Sequence, residues 1–241
     1  LLRCQGVTKT YQKDGASVEV LRGVDLALTE GETLAILGSS GAGKSTLLKT
    51  LAGLLPPLGG SLSFSGGKPP RRAYLPQQAE LDRQFPIAVS DLVAMGCWPQ
   101  SGMFGGMNRR AASQVNEALA NVGMSALARS PVGELSGGQL QRVLFARLLV
   151  QPAPLILLDE PFTGIDSATT AILLQAIAQL HRQGKTVIAV LHDMSMVAEH
   201  FPQVLLLTPQ ACHWGAAERV LEQVPKYHAA ERQPDLRAVA P

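Results

Sequence analysis

The stretch "TLAILGSSGAGKSTLL", residues 33–48, decides the fold of this chain. It begins with a short apolar run, Thr33–Leu37, which has the length and composition of a strand buried on both faces of a sheet. The following residues fit the pattern G-x-x-x-x-G-K-[ST], and "KSTLLKTLAGLL" continues as a helix. A glycine-rich loop between strand and helix lets backbone N–H groups surround phosphate oxygens, and the helix N-terminus adds positive potential. The stretch therefore predicts a phosphate-binding loop in an α/β fold.

This loop and the start of its helix supply candidate ligands for a nucleotide. Lys44 is placed to reach the β- and γ-phosphates, and the Ser45 hydroxyl is placed to bind Mg²⁺. The nucleotide-binding residues predicted for this segment are Gly38, Ser39, Ser40, Gly41, Ala42, Gly43, Lys44, Ser45 and Thr46.

Further apolar runs alternate with helical patterns downstream. Strands are predicted at Leu155–Asp159, Thr186–Leu191 and Val204–Leu207, and helices at Ser167–Gln183 and Met194–Glu199. This alternation is typical of an α/β sandwich with a mostly parallel core sheet. The segment from about Ser90 to Val150 is instead mostly helical, which indicates an inserted helical subdomain.

The strand "LILLDEP" ends in two adjacent carboxylates. Asp159, at the end of a buried strand, can hold the Mg²⁺ shell. Glu160 follows it and can polarise or deprotonate an attacking water. We predict that Asp159 is a metal ligand and that Glu160 is the general base.

A second Gly-Gly pair occurs in "ELSGGQLQRVLFAR", residues 134–147, although one nucleotide needs only one phosphate loop. Ser136 can cap the following helix, while Gly137 and Gly138 let another group approach the backbone closely. The question is which nucleotide this second loop serves.

The motifs "GSSGAGKST", "LSGGQ", "LILLDEP" and "AVLHD", in this order, resemble the ATP-binding subunit of an ABC transporter from about Arg3 to Leu221. The resemblance implies a P-loop NTPase sandwich with a mostly parallel core sheet, an antiparallel β N-terminal part and an inserted helical subdomain. It predicts a single ATPase domain over residues 1–225, followed by a loosely held tail at 226–241. Within the domain, the core spans about 1–78 and 152–225, and the helical subdomain about 79–151.

The same resemblance assigns roles to individual positions. Two copies face head to tail, so that Ser136, Gly137, Gly138 and Gln139 grip the γ-phosphate of the ATP bound by the other copy. Tyr11 stacks on adenine, although a partly buried strand tyrosine is the alternative. Gln77 contacts Mg²⁺ and the attacking water, with Gln78 as its rival, and His192 contacts the γ-phosphate. Asp166 lies at the dimer seam, and it can equally cap the next helix. The catalytic set implied is Glu160, His192, Gln77 and Lys44, and the Mg²⁺ ligands are Ser45, Gln77 and Asp159.

The resemblance also implies partners for a chain that works with ATP and Mg²⁺. These are a second copy of itself, a polytopic membrane permease and an extracytoplasmic substrate-binding protein, with the chain on the cytoplasmic face of the inner or plasma membrane. The segment 77–96 would contact the permease, with Phe85, Leu92 and Met95 as candidate apolar contacts. Packing within the helical subdomain is the equal alternative for each of the three.

Two branches of the family share features with this chain. The importers of manganese, zinc or iron are most similar to this chain in "QQAELDRQFPIAVSDLVAMG", "EPFTGID" and "VLHDMSMV". The run Asp82–Pro86 is the strongest indication of this branch. "YQKDGASVEVLRGVDLAL" instead resembles the exporter and lipoprotein-release branch. Metal import is the prediction, and export is the alternative.

Composition and motif spacing argue against other classes of ABC protein and against a nucleic-acid partner. Apolar residues make up 46% and charged residues 17% of the 241 residues, as in a folded globular chain. The formal charge of +2 gives no support for a nucleic-acid partner. The interval between Lys44 and Ser136 leaves no room for the long coiled coils of ABC ATPases in DNA repair. A translation-associated ABC protein would carry two ATPase units, and an idle regulatory subunit would lack catalytic residues that are present here.

Overall fold

The computed structural model describes residues 1–13, 15–77, 86–97, 108–208 and 211–224. The chain divides into two compact units by its contacts. Unit 1 comprises Leu1–Leu28, Thr33–Ser63 and the residues from Val190 onward, and unit 2 comprises Thr29–Glu32 and Phe64–Ala189. The core and the helical subdomain predicted from the sequence have other limits than these two units. Those predicted limits stay a prediction.

Unit 1 contains an antiparallel pair formed by β1 (Leu2–Lys13) and β2 (Ala16–Leu28). β4 (Gly59–Phe64) lies on the other side of β1, so that the order is β2-β1-β4. Register shifts between Cys4 and Val7 and between Lys9 and Thr10 interrupt the ladder. The antiparallel β N-terminal part predicted from the family is therefore present.

Unit 1 contains three further strands, and the phosphate loop follows the first of them. β3 (Thr33–Gly38) pairs in parallel with β8 (Gln203–Leu207), and β8 pairs antiparallel with β9 (Cys212–Ala216). The apolar residues of β3 and β8 are buried, as their continuous apolar runs predict.

Short helices complete unit 1. α1 (Lys44–Leu51) follows the loop, α6 (Met194–His200) precedes β8, and α7 (Ala217–Leu221) follows β9. The sequence pattern extends α1 as far as Leu55, but the helix ends earlier because Gly53 has a φ of 75°, a left-handed value that stops a helix.

Unit 2 contains β5 (Arg72–Leu75), β6 (Leu155–Asp159) and β7 (Thr186–Val190), in the order β5-β6-β7; the last residue of β7 belongs to unit 1. β5 and β6 are parallel, with Tyr74 opposite Leu157 and Leu75 opposite Leu158. Every residue of β6 and β7 is buried, which confirms the prediction of strands covered on both faces.

The helices of unit 2 are α2 (Val89–Ala94), α3 (Arg109–Asn121), α4 (Gly137–Val150) and α5 (Ser167–Arg182). Short 3₁₀ turns occur at Met95–Cys97, Ser125–Leu127 and Val132–Glu134. α4 packs against α2, α3 and α5, and Phe145 at its centre is fully buried. The helical character predicted between Ser90 and Val150 is present in the described part of that segment.

Some predictions concern residues outside the described ranges. These are Gln78, the apolar contact Phe85 and the tail 226–241. Within the part of the chain that is described, no helix combines the length and apolar character needed to span a bilayer.

Candidate nucleotide-binding and catalytic site

The conformation of the phosphate loop depends on its glycines. Gly41 and Gly43 have φ values of 81° and 93°, in the left-handed region that side chains disfavour. A Cβ atom on Gly43 would lie 2.7 Å from the Val20 carbonyl oxygen, and one on Gly38 would collide with the Leu207 carbonyl oxygen. The fold of unit 1 itself therefore requires glycine at these positions.

Lys44 is buried within this loop, with only 6% of its surface exposed. Its Nζ donates hydrogen bonds to the carbonyl oxygens of Gly38, at 2.9 Å, and Ser39, at 2.8 Å. Charged groups are rarely buried unless they have partners, so these bonds fix the ammonium against the loop.

The remaining loop residues line the start of α1. Ser40 and Gly41 are exposed, and Ser39, Ser45 and Thr46 are half-buried. The Ala42 N–H donates to the Ser39 carbonyl at 3.2 Å, which closes the turn before the helix. Hydroxyls and backbone N–H groups are thereby concentrated at one helix N-terminus.

His192 lies beside the phosphate loop in unit 1. It is exposed, and it lines a cavity of about 290 Å³ together with Gly38, Ser39 and Ser40. The following residue, Asp193, caps α6 by accepting a hydrogen bond from the Met196 N–H at 3.0 Å. The structure thus places His192 beside the loop, and its contact with the γ-phosphate stays a prediction.

Tyr11 lies on β1, opposite Val18, and 38% of its surface is exposed. The Lys9 ammonium lies 5.9 Å from the centre of its ring. Tyr11 is therefore an exposed strand residue, and its stacking on adenine stays a prediction.

Asp159 ends β6 with only 2% of its surface exposed. The Tyr74 hydroxyl donates a hydrogen bond to Asp159 Oδ2 at 3.2 Å. Burial, followed by the charge of Asp159 and this hydrogen bond, raises the pKa of Tyr74. Tyr74 is therefore protonated at neutral pH and acts as the donor.

Glu160 has a left-handed backbone, with a φ of 49°, in a region that few non-glycine residues occupy. Gln77 Nε2 donates to Glu160 Oε2 at 2.7 Å, and the Thr163 hydroxyl donates to the same oxygen at 3.3 Å. Two candidate catalytic residues, Gln77 and Glu160, are therefore in direct contact in unit 2.

The second glycine-rich loop begins α4 with a capping box. The Gln139 N–H donates to Ser136 Oγ at 3.2 Å, and the Ser136 N–H donates to Gln139 Oε1 at 2.9 Å. Neither Gly137 nor Gly138 has a positive φ, and a Cβ atom would meet nothing within 4 Å at Gly137 and nothing closer than 3.5 Å at Gly138. Unlike Gly43, these two glycines are not required by the fold of the unit that contains them.

Hydrogen bonds connect α4 to the start of α5. Asp166 caps α5 through the Thr169 N–H, at 2.8 Å, and also accepts from the Thr169 hydroxyl, at 2.9 Å. These two bonds lower the pKa of Asp166. Arg142, on α4, donates to the Thr169 hydroxyl oxygen at 3.2 Å. The predicted N-cap at Asp166 is therefore present.

The predicted Mg²⁺ ligands suit that ion chemically. Ser45, Gln77 and Asp159 offer hydroxyl, amide and carboxylate oxygens, and Mg²⁺ prefers oxygen ligands with one or two carboxylates and substrate phosphates. The buried Asp159 carboxylate at a strand end fits this role. In the described ranges, no group of three or more His, Cys, Asp or Glu side chains is arranged to bind a metal ion. A bound Mg²⁺ would therefore need the phosphates of the nucleotide as further ligands.

Comparison with known sequences identifies the family. The ABC transporter family model matches residues 21–163. The chain is 37% identical over 227 residues to the manganese transport system ATP-binding protein of Listeria innocua, covering 92% of each chain. It is 44% identical over 201 residues to the zinc transport system ATP-binding protein of Treponema pallidum, covering 82% of this chain and 76% of the relative.

Solved structures agree with these sequence matches. A metal-chelate type ABC transporter in an inward-facing conformation has a TM-score of 0.81 at 28% identity, covering 95% of this chain and 88% of that chain. A dimeric bacterial ABC transporter cassette has a TM-score of 0.79 at 27% identity, covering 90% and 99%. The chain therefore belongs to the ABC transporter family, as an ATP-hydrolysing cassette. The resemblance, the fold class and the enzymatic activity predicted from the sequence are confirmed.

Sequence motifs did not reveal several residues that contact the candidate site. Tyr74 bonds Asp159, Thr163 bonds Glu160, and Thr169 bonds Asp166. Tyr74 comes from a neighbouring strand, and the other two are short-range polar partners without a motif of their own. Only the register between β5 and β6 could have indicated Tyr74, and that register is a property of the folded chain.

Replacing Gly138 or Gly43 by alanine distinguishes a glycine that catalysis requires from a glycine that folding requires. We expect Gly138→Ala to leave the melting temperature unchanged or raised by up to about 4 °C, because alanine favours helices. ATP turnover should fall about tenfold or more, because the methyl group stands where a phosphate is expected to approach a helix N-terminus. Gly43→Ala should instead lower both the melting temperature and ATP affinity. Calorimetry and phosphate release measure these effects, and a Gly138→Ala protein with normal turnover would contradict the assignment.

Proposed function

We propose that the chain is the ATP-hydrolysing subunit of a system that imports a transition metal ion or a metal chelate. The observation that carries this proposal is the similarity, over 92% of its length, to a manganese transport system ATP-binding protein. The similarity to a zinc transport system protein and to a metal-chelate type transporter supports it. An alignment of that length includes most of the N-terminal third, so metal import is preferred to the exporter alternative.

In the proposed reaction, the residues of the phosphate loop bind ATP. Lys44 neutralises the β- and γ-phosphates, Ser45 and Asp159 hold Mg²⁺, and Tyr11 stacks on the adenine. Mg²⁺, when bound, neutralises the charge that develops on the phosphate oxygens. The buried position of Asp159 supports this assignment, because a desolvated carboxylate attracts a cation strongly.

Glu160 is the proposed base for the attacking water, with Gln77 and His192 positioning the water and the γ-phosphate. The hydrogen bond between Gln77 and Glu160 supports a shared role, because it holds the two polar ends within reach of one water molecule. The Gln77 nitrogen donates to Glu160, so its amide oxygen would be the atom that binds Mg²⁺.

The second glycine-rich loop serves an ATP bound by a second copy of the chain. The fold of unit 2 would accept alanine at both Gly137 and Gly138. This supports the proposal that a group from outside the unit approaches the backbone there. Ser136 and Gln139 frame that N-terminus through the capping box. The dimeric state of a similar cassette supports the same arrangement. Loss of the γ-phosphate then lets the two copies separate.

The remaining partners follow from this function. The chain acts with a polytopic membrane permease and an extracytoplasmic substrate-binding protein, at the cytoplasmic face of the inner or plasma membrane, and it needs no nucleic acid. Of the candidate permease contacts, Leu92 is 1% exposed and packs in the core of unit 2, whereas Met95 is half-buried. Met95 is therefore the better candidate of the two.

The proposal is tested by measuring manganese, zinc and iron in cells whose only copy of the chain carries Glu160→Gln, grown under metal limitation. We expect a selective fall in one metal, because transport stops when hydrolysis stops. Glu117→Gln is the matched control, since Glu117 is an exposed glutamate on α3. Unchanged content of all three metals, in cells without another uptake system, would overturn metal import.

A further inference from the structure

We propose that Tyr74 is a positioning residue for Mg²⁺, acting through Asp159. This inference rests on the proposed role of Asp159 as a ligand of that ion. Tyr74 belongs to none of the motifs that define the family resemblance, and its hydroxyl bonds the buried carboxylate directly, at 3.2 Å.

The register of β5 and β6 explains how the two side chains meet. Tyr74 lies opposite Leu157 in a parallel pair, and Leu157 and Asp159 project from the same face of β6 because side chains alternate along a strand. The long tyrosine side chain leans along its strand and reaches the end of the next one.

The hydrogen bond matters because Asp159 has almost no access to water. A carboxylate that is 2% exposed depends on protein donors for its orientation, and a donor on Oδ2 restricts rotation about the Cβ–Cγ bond. The carboxylate then keeps one orientation toward a cation. Partners of this kind behind a metal ligand typically contribute about 10- to 100-fold to metal affinity.

Tyr74→Phe removes the hydroxyl and keeps the ring, which makes it the variant of choice. We would place it in the Glu160→Gln chain, to prevent turnover, and titrate free Mg²⁺ against the fluorescence of a bound ATP analogue. The half-saturating Mg²⁺ concentration should rise about tenfold, while binding of the analogue without Mg²⁺ stays unchanged. Thr170→Val, which deletes a half-buried hydroxyl bonded to the Asp166 carbonyl, should leave the Mg²⁺ value unchanged.

Asp159→Asn in the same titration separates this inference from the proposal on which it rests. If Asp159→Asn has no effect on the Mg²⁺ value, the role of Asp159 itself is wrong. If Asp159→Asn raises the value and Tyr74→Phe does not, Tyr74 has no positioning role and the inference is overturned. A lower melting temperature for Tyr74→Phe with an unchanged Mg²⁺ value would also overturn it, because the hydroxyl would then serve packing alone.

Discussion

Replacing Glu160 by Gln should reduce ATP turnover by roughly 10²- to 10⁴-fold, the usual contribution of a general base. The amide has nearly the same shape as the carboxylate but cannot accept the proton of the attacking water. Its oxygen can still accept the hydrogen bond from Gln77, so the local structure should survive. ATP binding should therefore persist while hydrolysis stops, and the ATP-bound dimer should accumulate.

Steady-state phosphate release, ATP binding and gel filtration with MgATP measure these effects together. Glu117→Gln, on the exposed face of α3, should retain wild-type turnover and form no stable dimer. Wild-type turnover by Glu160→Gln would exclude Glu160 as the base. A Glu160→Gln chain that binds ATP but remains monomeric would contradict the shared site.

Lys44→Ala should weaken ATP binding by roughly 10²- to 10⁴-fold, because two charge-assisted hydrogen bonds to phosphate contribute about 3–6 kcal/mol. The substitution also removes the bonds from Nζ to the carbonyl oxygens of Gly38 and Ser39, so the loop loses internal support. Both effects act in the same direction, which makes this the largest binding defect that we expect from one side chain.

Lys49→Ala provides the matched control for Lys44→Ala. Lys49 lies on the same helix, but its side chain is exposed to solvent. Both variants remove one positive charge from α1, so a difference between them reports the position of the charge and not its loss. Isothermal titration with ATP and Mg²⁺ measures both affinities, and an unchanged affinity for Lys44→Ala would overturn the assignment of the phosphate loop.

Local patterns were sufficient to predict the strands that are buried on both faces. The runs at Thr33, Leu155 and Thr186 are apolar throughout, because each becomes a fully covered strand. The phosphate loop could be predicted because its chemistry requires particular residues at fixed spacing. In these segments the local sequence pattern and the folded structure require the same types of residue.

Strands with one exposed face were harder to recognise. β1 and β2 mix polar and apolar residues and contain register shifts, and no continuous apolar run marks them. β9, in "CHWGA", lies beside only one other strand among those described, and its residues are half-buried or exposed. Its pairing with β8 is antiparallel, a property that no local pattern specifies.

The hydrogen bonds of the candidate site could not be predicted for a related reason. The bond between Tyr74 and Asp159 depends on which strands are neighbours and on their register. The bond between Gln77 and Glu160 likewise depends on the loops that follow those two strands. The motifs identified the residues that carry the chemistry, and the fold determines which residues orient them.

We propose that each ATP lies between the phosphate loop of one copy and the Ser136–Gln139 loop of another. We would test it by mixing Lys44→Ala chains with Gly138→Asp chains, each inactive by itself. An aspartate early in a helix is compatible with its dipole but repels a phosphate. In a mixed dimer, one site combines an intact phosphate loop with an intact partner loop, so we expect ATP turnover that neither variant has alone. A mixture no more active than its two separate components would contradict it.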